Sequence, residues 1–128
     1  QRVINIIVYI SPELKEEHGG HLGLWESNEQ GELGDLVKEV APKFNRAIIF
    51  NTTQNSWHGL PKELKCPEGT IRQSLAAYYV RPAPENTEPR GKALFVARED
   101  QKNDAHFEEL VKRRAAVDTA SDFYGYKK

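Results

Sequence analysis

Residues 3 to 10, VINIIVYI, form a nearly unbroken apolar and β-branched run, the pattern of a strand covered on both faces. SPELKEEHGG opens with Ser-Pro and closes with Gly-Gly, which predicts a turn. In HLGLWES, Leu22 and Leu24 then alternate with smaller or polar neighbours, and that period of two predicts a second strand. NEQGELGD reads as a loop, LVKEVAP as a third strand, and PKFNR as a turn feeding AIIFNTT, residues 47–53, the fourth. SWHGLP follows at once, placing a histidine at the mouth of the strands. After the polar KELKCPEGT, residues 71–80 alternate again: Arg72, Ser74, Ala76 and Tyr78 share one face, and Gln73, Leu75, Ala77 and Tyr79 the other. RPAPENTEPRG reads as a loop and KALFVARE as a further short strand. Over residues 103–117 the period changes, with Phe107, Leu110, Val111 and Ala115 at helical spacing and Asp104 placed as a cap.

Many short strands separated by turn signals, followed by one helix, favour a β-sandwich or barrel over an alternating α/β sheet. The 128 residues contain no repeat or low-complexity tract and read as a single domain, with a strand core over about residues 2–100. The charges nearly cancel, 18 basic against 19 acidic residues for a net −1, so neither a nucleic-acid footprint nor an anionic-membrane patch is present. No apolar run approaches the roughly 20 residues a membrane-spanning helix needs. A lone cysteine, Cys66, forms no internal disulfide and agrees with a reducing, cytoplasmic setting. The chain begins at Gln1 and has no methionine, so it reads as part of a longer product.

Three stretches then matter together: INIIVYISPELKEEHGGHLGLWE, VAPKFNRAIIFNTTQNSWHGLP and IRQSLAAYYV. Their order over about residues 2–80 resembles the C-terminal half of the Fe(II)- and 2-oxoglutarate-dependent dioxygenases, in the prolyl 4-hydroxylase-like branch. The resemblance implies a double-stranded β-helix, a jelly roll with the site between its two sheets. It implies Fe(II), 2-oxoglutarate and O2 as the reacting set. The substrate it implies is a prolyl residue of a protein or a small molecule.

Roles follow residue by residue from the same resemblance. His58 matches the distal iron-binding histidine, a neutral imidazole suited to a site of two histidines and one carboxylate. Arg72 matches the arginine that grips the far carboxylate of 2-oxoglutarate with a planar fork of donors. Tyr9 matches a tyrosine whose hydroxyl assists there, and Ser74 the serine of an R-x-S pattern. His58 and Arg72 are expected to project from adjacent strands into one cavity between the sheets.

The family's remaining ligands form an H-x-D pair upstream of the strand matching VINIIVYI, and no H-x-D occurs in this chain. The expectation is that the pair lies upstream of Gln1. His106-Phe107-Glu108 has the wrong order, and residues two apart on a helix diverge. His18 and His21 flank the Gly-Gly turn and do not both reach His58. Unpaired strand edges left by an incomplete jelly roll would need cover, from an upstream region or from a homodimer. A second reading keeps the fold without the metal, as a non-catalytic binding module.

Taken singly, these residues read more plainly. A histidine between strands is more often a hydrogen-bonded surface residue than a ligand, and a strand arginine is usually a weak surface ion-pair partner. Tryptophans, here Trp25 and Trp57, usually serve as core.

Overall fold

The computed structural model describes residues 2–53, 55–82, 84, 85 and 95–116. The chain divides into two compact units, Gln1–Thr87 and Glu88–Lys128. In the first unit the strands are β1 (Arg2–Tyr9), β2 (Leu22–Ser27), β3 (Leu33–Val40), β4 (Ala47–Asn51), β5 (Trp57–Gly59) and β6 (Ser74–Val80). They build two three-stranded sheets, β4-β1-β6 and β3-β2-β5, and every pairing is antiparallel. The chain crosses from one sheet to the other at every connection except β2–β3. The architecture is mainly β, with the two-sheet plan of the jelly roll that the sequence predicts.

β1 is central, and its register decides which residues share a face. Asn5 lies opposite Phe50 on β4 and Tyr78 on β6, Ile7 opposite Ile48 and Ala76, and Tyr9 opposite Ser74. Directly opposed residues point to the same side of a sheet. Tyr9 and Asn5 are buried, at 0% and 3% exposure, so this is the inner face. Ile4, Ile6 and Val8 on the other face are only half-buried, and beside them Ile49, Leu75 and Tyr79 are exposed. The expectation that β1 is covered on both faces is therefore corrected. Apolar character records what a strand tolerates, and here β1 is fully buried only at Asn5 and Tyr9 on the inner face.

The turns fix the ends. In PKFNR, Asn45 takes a left-handed conformation with φ 61°, which Asn adopts more readily than most residues. Its N–H donates to the Tyr9 carbonyl at 2.9 Å, while the Tyr9 N–H donates to the Arg46 carbonyl at 2.9 Å. Arg46 Nη1 then reaches back to the Ala41 carbonyl at 2.9 Å. This turn thus holds the end of β1.

Between β2 and β3 the Asn28 carboxamide oxygen accepts from the Gln30 and Glu32 N–H groups at 3.0 and 2.8 Å. Pairing resumes at once, Ser27 opposite Leu33, so β3 starts three residues before the predicted LVKEVAP.

In the second unit, α1 (Ala105–Ala116) starts where Asp104 Oδ1 accepts from the N–H groups of His106 and Phe107 at 2.8 and 3.3 Å. That is the cap the sequence predicts. The expected KALFVARE strand is not formed over residues 95–98, and a 3-10 turn, Glu99–Gln101, follows. The rest of that stretch lies outside the described residues. No helix among the described residues is long and apolar enough to cross a membrane.

Candidate functional site

Tyr9 ends β1 with its ring on the closed face, where its hydroxyl is buried without a well-aligned hydrogen-bond partner among the described residues. Burial pushes its pKa above the usual 10.0, while the charge and near contact of the Arg72 guanidinium, and then the charge of Arg46, pull it back. The Arg72 guanidinium carbon stands 5.2 Å from the centre of the Tyr9 ring, a cation–π distance. Arg72 Nε donates to the Gly20 carbonyl at 2.8 Å. One edge of the fork is thereby fixed, with the guanidinium held beside the Tyr9 ring.

Two further residues, Gly20 and Ser11, set this geometry. Gly20, at φ +71°, leaves room that a Cβ would fill, 2.8 Å from Arg72 Cδ and 3.1 Å from Nε. Ser11, 3% exposed, donates from Oγ to the Ile71 carbonyl at 2.7 Å and accepts from the Gln73 N–H at 2.6 Å. The Ile10 N–H also donates to the Gln73 carbonyl at 3.2 Å. Residues 71–73 are therefore pinned on both sides of Arg72, which explains why β6 begins at Ser74 and not at Ile71 as predicted. Ser-Pro and Gly-Gly were visible as turn signals, but their partners lie 52 to 62 residues away.

His58 stands in β5, a three-residue strand where the sequence pattern predicts only a connection. It pairs with Leu24 of β2. Its neighbourhood on the outer side is shaped by glycine: a Cβ on Gly23 would meet the Trp25 ring at 2.5 Å, and one on Gly59 would touch the same ring at 3.9 Å. Trp25 thus lies across the sheet and, like Trp57, is half-buried and outside the core.

The His58 ring packs against Phe50 of the other sheet, with centroids 4.9 Å apart and planes inclined by 60°. Its Nδ1 lies 3.4 Å from the Ser56 carbonyl. A carbonyl only accepts, so this contact suits the tautomer protonated at Nδ1 and leaves the Nε2 lone pair for a ligand.

The predicted residues therefore meet one surface, though from different sheets. Phe50 and Tyr9 share the inner face of β4-β1-β6, His58 packs on the first and Arg72 on the second, and Ser74 sits opposite Tyr9 on that face, exposed. Adjacent strands do not carry His58 and Arg72: β5 and the start of β6 belong to opposite sheets. His18 is engaged locally, its Nδ1 accepting from the Lys15 N–H at 3.2 Å, and His106 and Glu108 are both in α1. Among the described residues no three His, Cys, Asp or Glu side chains gather to hold a metal. An anchored guanidinium beside a buried hydroxyl fits the carboxylate of a keto acid. One exposed imidazole does not by itself fit an iron site.

Residues 1–80 match the family pattern of the 2OG-Fe(II) oxygenase superfamily, and the chain belongs to that family. Among curated proteins it is 29% identical over 73 residues to prolyl 3-hydroxylase OGFOD1 of Xenopus laevis, covering 57% of this chain and 14% of that protein. It is 28% identical over 82 residues to prolyl 3-hydroxylase OGFOD1 of Mus musculus, covering 64% and 15% respectively. The chain thus spans about one seventh of the length of these relatives. Both names are of prolyl hydroxylases, in agreement with the prolyl hydroxylase-like resemblance of the sequence, and both specify the 3-position.

Proposed function

We propose that this chain carries the cosubstrate-binding half of a 2-oxoglutarate-dependent hydroxylase that acts on prolyl residues. The observation that carries the reading is the Arg72–Tyr9 pair: a guanidinium with Nε tied to the Gly20 carbonyl, facing a buried hydroxyl that lacks a well-aligned partner. Arg72 offers two parallel N–H donors to the far carboxylate of 2-oxoglutarate, and the Tyr9 hydroxyl offers a third. Ser74, opposite Tyr9, is placed to add a fourth. Such charge-assisted, bidentate contacts orient the acid and hold its other end toward His58. Burial keeps the Tyr9 hydroxyl protonated and hence a donor.

His58 presents Nε2 as one imidazole ligand, with Ser56 orienting the ring. Among the described residues no further ligand gathers with His58, and a complete iron site would need additional ligands beside it. When bound, the metal supplies the O2 chemistry of the family. Prolyl substrates are proposed on the names of the two relatives, and cytoplasmic placement on the unpaired cysteine. A homodimer is a further proposal, on the exposed apolar face of β4-β1-β6.

The test is succinate release from 2-oxoglutarate by the full-length protein with Fe(II), beside 2-oxoglutarate binding measured by calorimetry. His58→Ala should abolish release while retaining binding. Arg72→Ala should weaken 2-oxoglutarate on the order of 100-fold, the loss expected for two charge-assisted hydrogen bonds. Normal turnover by both variants would defeat the assignment. Arg72-dependent binding without any succinate release would make the chain a carboxylate-binding module.

A further inference from the structure

Asn5 is the one polar residue inside the apolar run of β1. It is 3% exposed, and its Oδ1 is buried with no hydrogen-bond partner among the described residues. A buried carboxamide oxygen left unpaired is destabilising, and nearly all such groups in folded proteins find a partner. Register places Asn5 on the inner face, four residues from Tyr9, and directly opposite it stand two aromatic rings, Phe50 on β4 and Tyr78 on β6. Phe50 also touches the His58 ring, while the guanidinium of Arg2 covers Tyr78 at 4.2 Å. Asn5 therefore marks the His58 end of the surface whose other end is Tyr9 and Arg72.

We infer that Asn5, between Phe50 and Tyr78, is a substrate-recognition residue whose Oδ1 accepts a hydrogen bond from a peptide N–H next to the prolyl residue being read. The inference rests on the hydroxylase reading above and names what the His58 end of that site recognises. Proline has no N–H of its own, so the nearest donor is that of the following residue. Its ring is apolar and rigid, the kind of group that aromatic-lined surfaces accept.

The probes are a blocked Ala-Pro-Ala peptide and its ester analogue, in which the N–H after proline is replaced by oxygen. Binding of each to the full-length protein is measured by calorimetry, apart from any turnover. The wild-type protein should bind the amide about tenfold more tightly than the ester, the size of one recovered buried hydrogen bond. Asn5→Leu, similar in volume, should bind the two alike and match the wild type on the ester. Equal wild-type affinity for amide and ester, no binding of either, or undiminished discrimination by Asn5→Leu would each overturn the inference.

The wild-type comparison needs no substitution, so a misfolded variant does not decide the matter. A purely structural Asn5 would instead show a raised melting temperature in Asn5→Leu with peptide affinity unchanged. Succinate release by the wild type, followed in parallel, reports separately on the hydroxylase reading. If release fails while amide and ester are still discriminated, that reading falls and the recognition role of Asn5 stands.

Discussion

The two ends of the inner face are built to different standards. At the Arg72 end, Ser11, Ile10 and Gly20 hold residues 71–73 through four hydrogen bonds of 2.6 to 3.2 Å, two of them to a nearly buried hydroxyl. At the other end, the His58 side chain has one 3.4 Å contact to Ser56 and a tilted ring packing on Phe50, in a strand of three residues. On the proposed function, the difference matches what each end would have to do. A carboxylate grip depends on donors already aimed before the ligand arrives, because orientation achieved beforehand is not subtracted from affinity. A metal ligand is instead oriented largely by the ion and by the other ligands, and a loosely held imidazole is drawn into place when they assemble.

The contrast breaks most directly at Gly20. Gly20→Ala puts a Cβ 2.8 Å from Arg72 Cδ, and the flexible arginine stem yields before the backbone does. The Gly20 φ of +71° adds strain of about 1–2 kcal/mol for a side-chain-bearing residue. The expected outcome is a loss of 2-oxoglutarate affinity of roughly 10- to 100-fold, the worth of one or two charge-assisted bonds, with a smaller fall in melting temperature. Calorimetric titration checks it. Gly59→Ala at the His58 end, where a Cβ makes only an ordinary 3.9 Å contact with Trp25, should leave that affinity unchanged, and equal losses from the two substitutions would erase the distinction between the ends.

Ser11→Ala sharpens the same comparison through stability. It removes a donor to Ile71 and an acceptor for Gln73 at a site 3% exposed, leaving a carbonyl and an N–H unpaired. Loss of about 2 kcal/mol follows, at about 1 kcal/mol for each bond, read from denaturant unfolding. A several-fold weaker grip on 2-oxoglutarate should accompany it, since residues 71–73 keep only the bonds to Ile10 and Gly20. A stability loss with cosubstrate affinity intact would show that Arg72 is positioned without Ser11.

Legibility in the sequence divides along a similar line. Arg72 and Ser74 could be placed on one face because strand period is local, whereas Tyr9 was legible only through the resemblance, and the register sets it opposite Ser74. His58 could be picked out only through the order of surrounding stretches, since WHG is too short to show any period. Ser11 and Gly20 were legible as turn residues but not as supports for Arg72, because strand crossing between sheets brings together positions that sequence spacing keeps apart. Asn5 went unremarked inside an apolar run, although a polar residue at an inward register position is itself a signal. The exposure of Ile49, Leu75 and Tyr79 was hidden for the opposite reason: apolar composition does not say which face is covered.

The smallest effect separates donor from packing at Tyr9. Tyr9→Phe keeps the ring under Arg72 and removes the hydroxyl, which has no well-aligned partner among the described residues, so stability near neutral pH should change little. Affinity for 2-oxoglutarate should fall about 3- to 10-fold, as for one neutral hydrogen bond. The alkaline limb provides an independent reading. Burial raises the Tyr9 pKa above 10.0, so below pH 10.0 the hydroxyl is protonated in folded and unfolded chains alike and its contribution to stability is fully present. Above pH 10.0 the unfolded chain loses this proton first, the unfolded state gains, and that contribution is progressively lost until the folded-state pKa is passed. Unfolding midpoints followed upward from pH 9 should therefore fall less steeply in Tyr9→Phe than in the wild type. Parallel slopes would mean that the hydroxyl is solvated in the folded state, and the claim that it waits, buried, for a carboxylate would then have to be withdrawn.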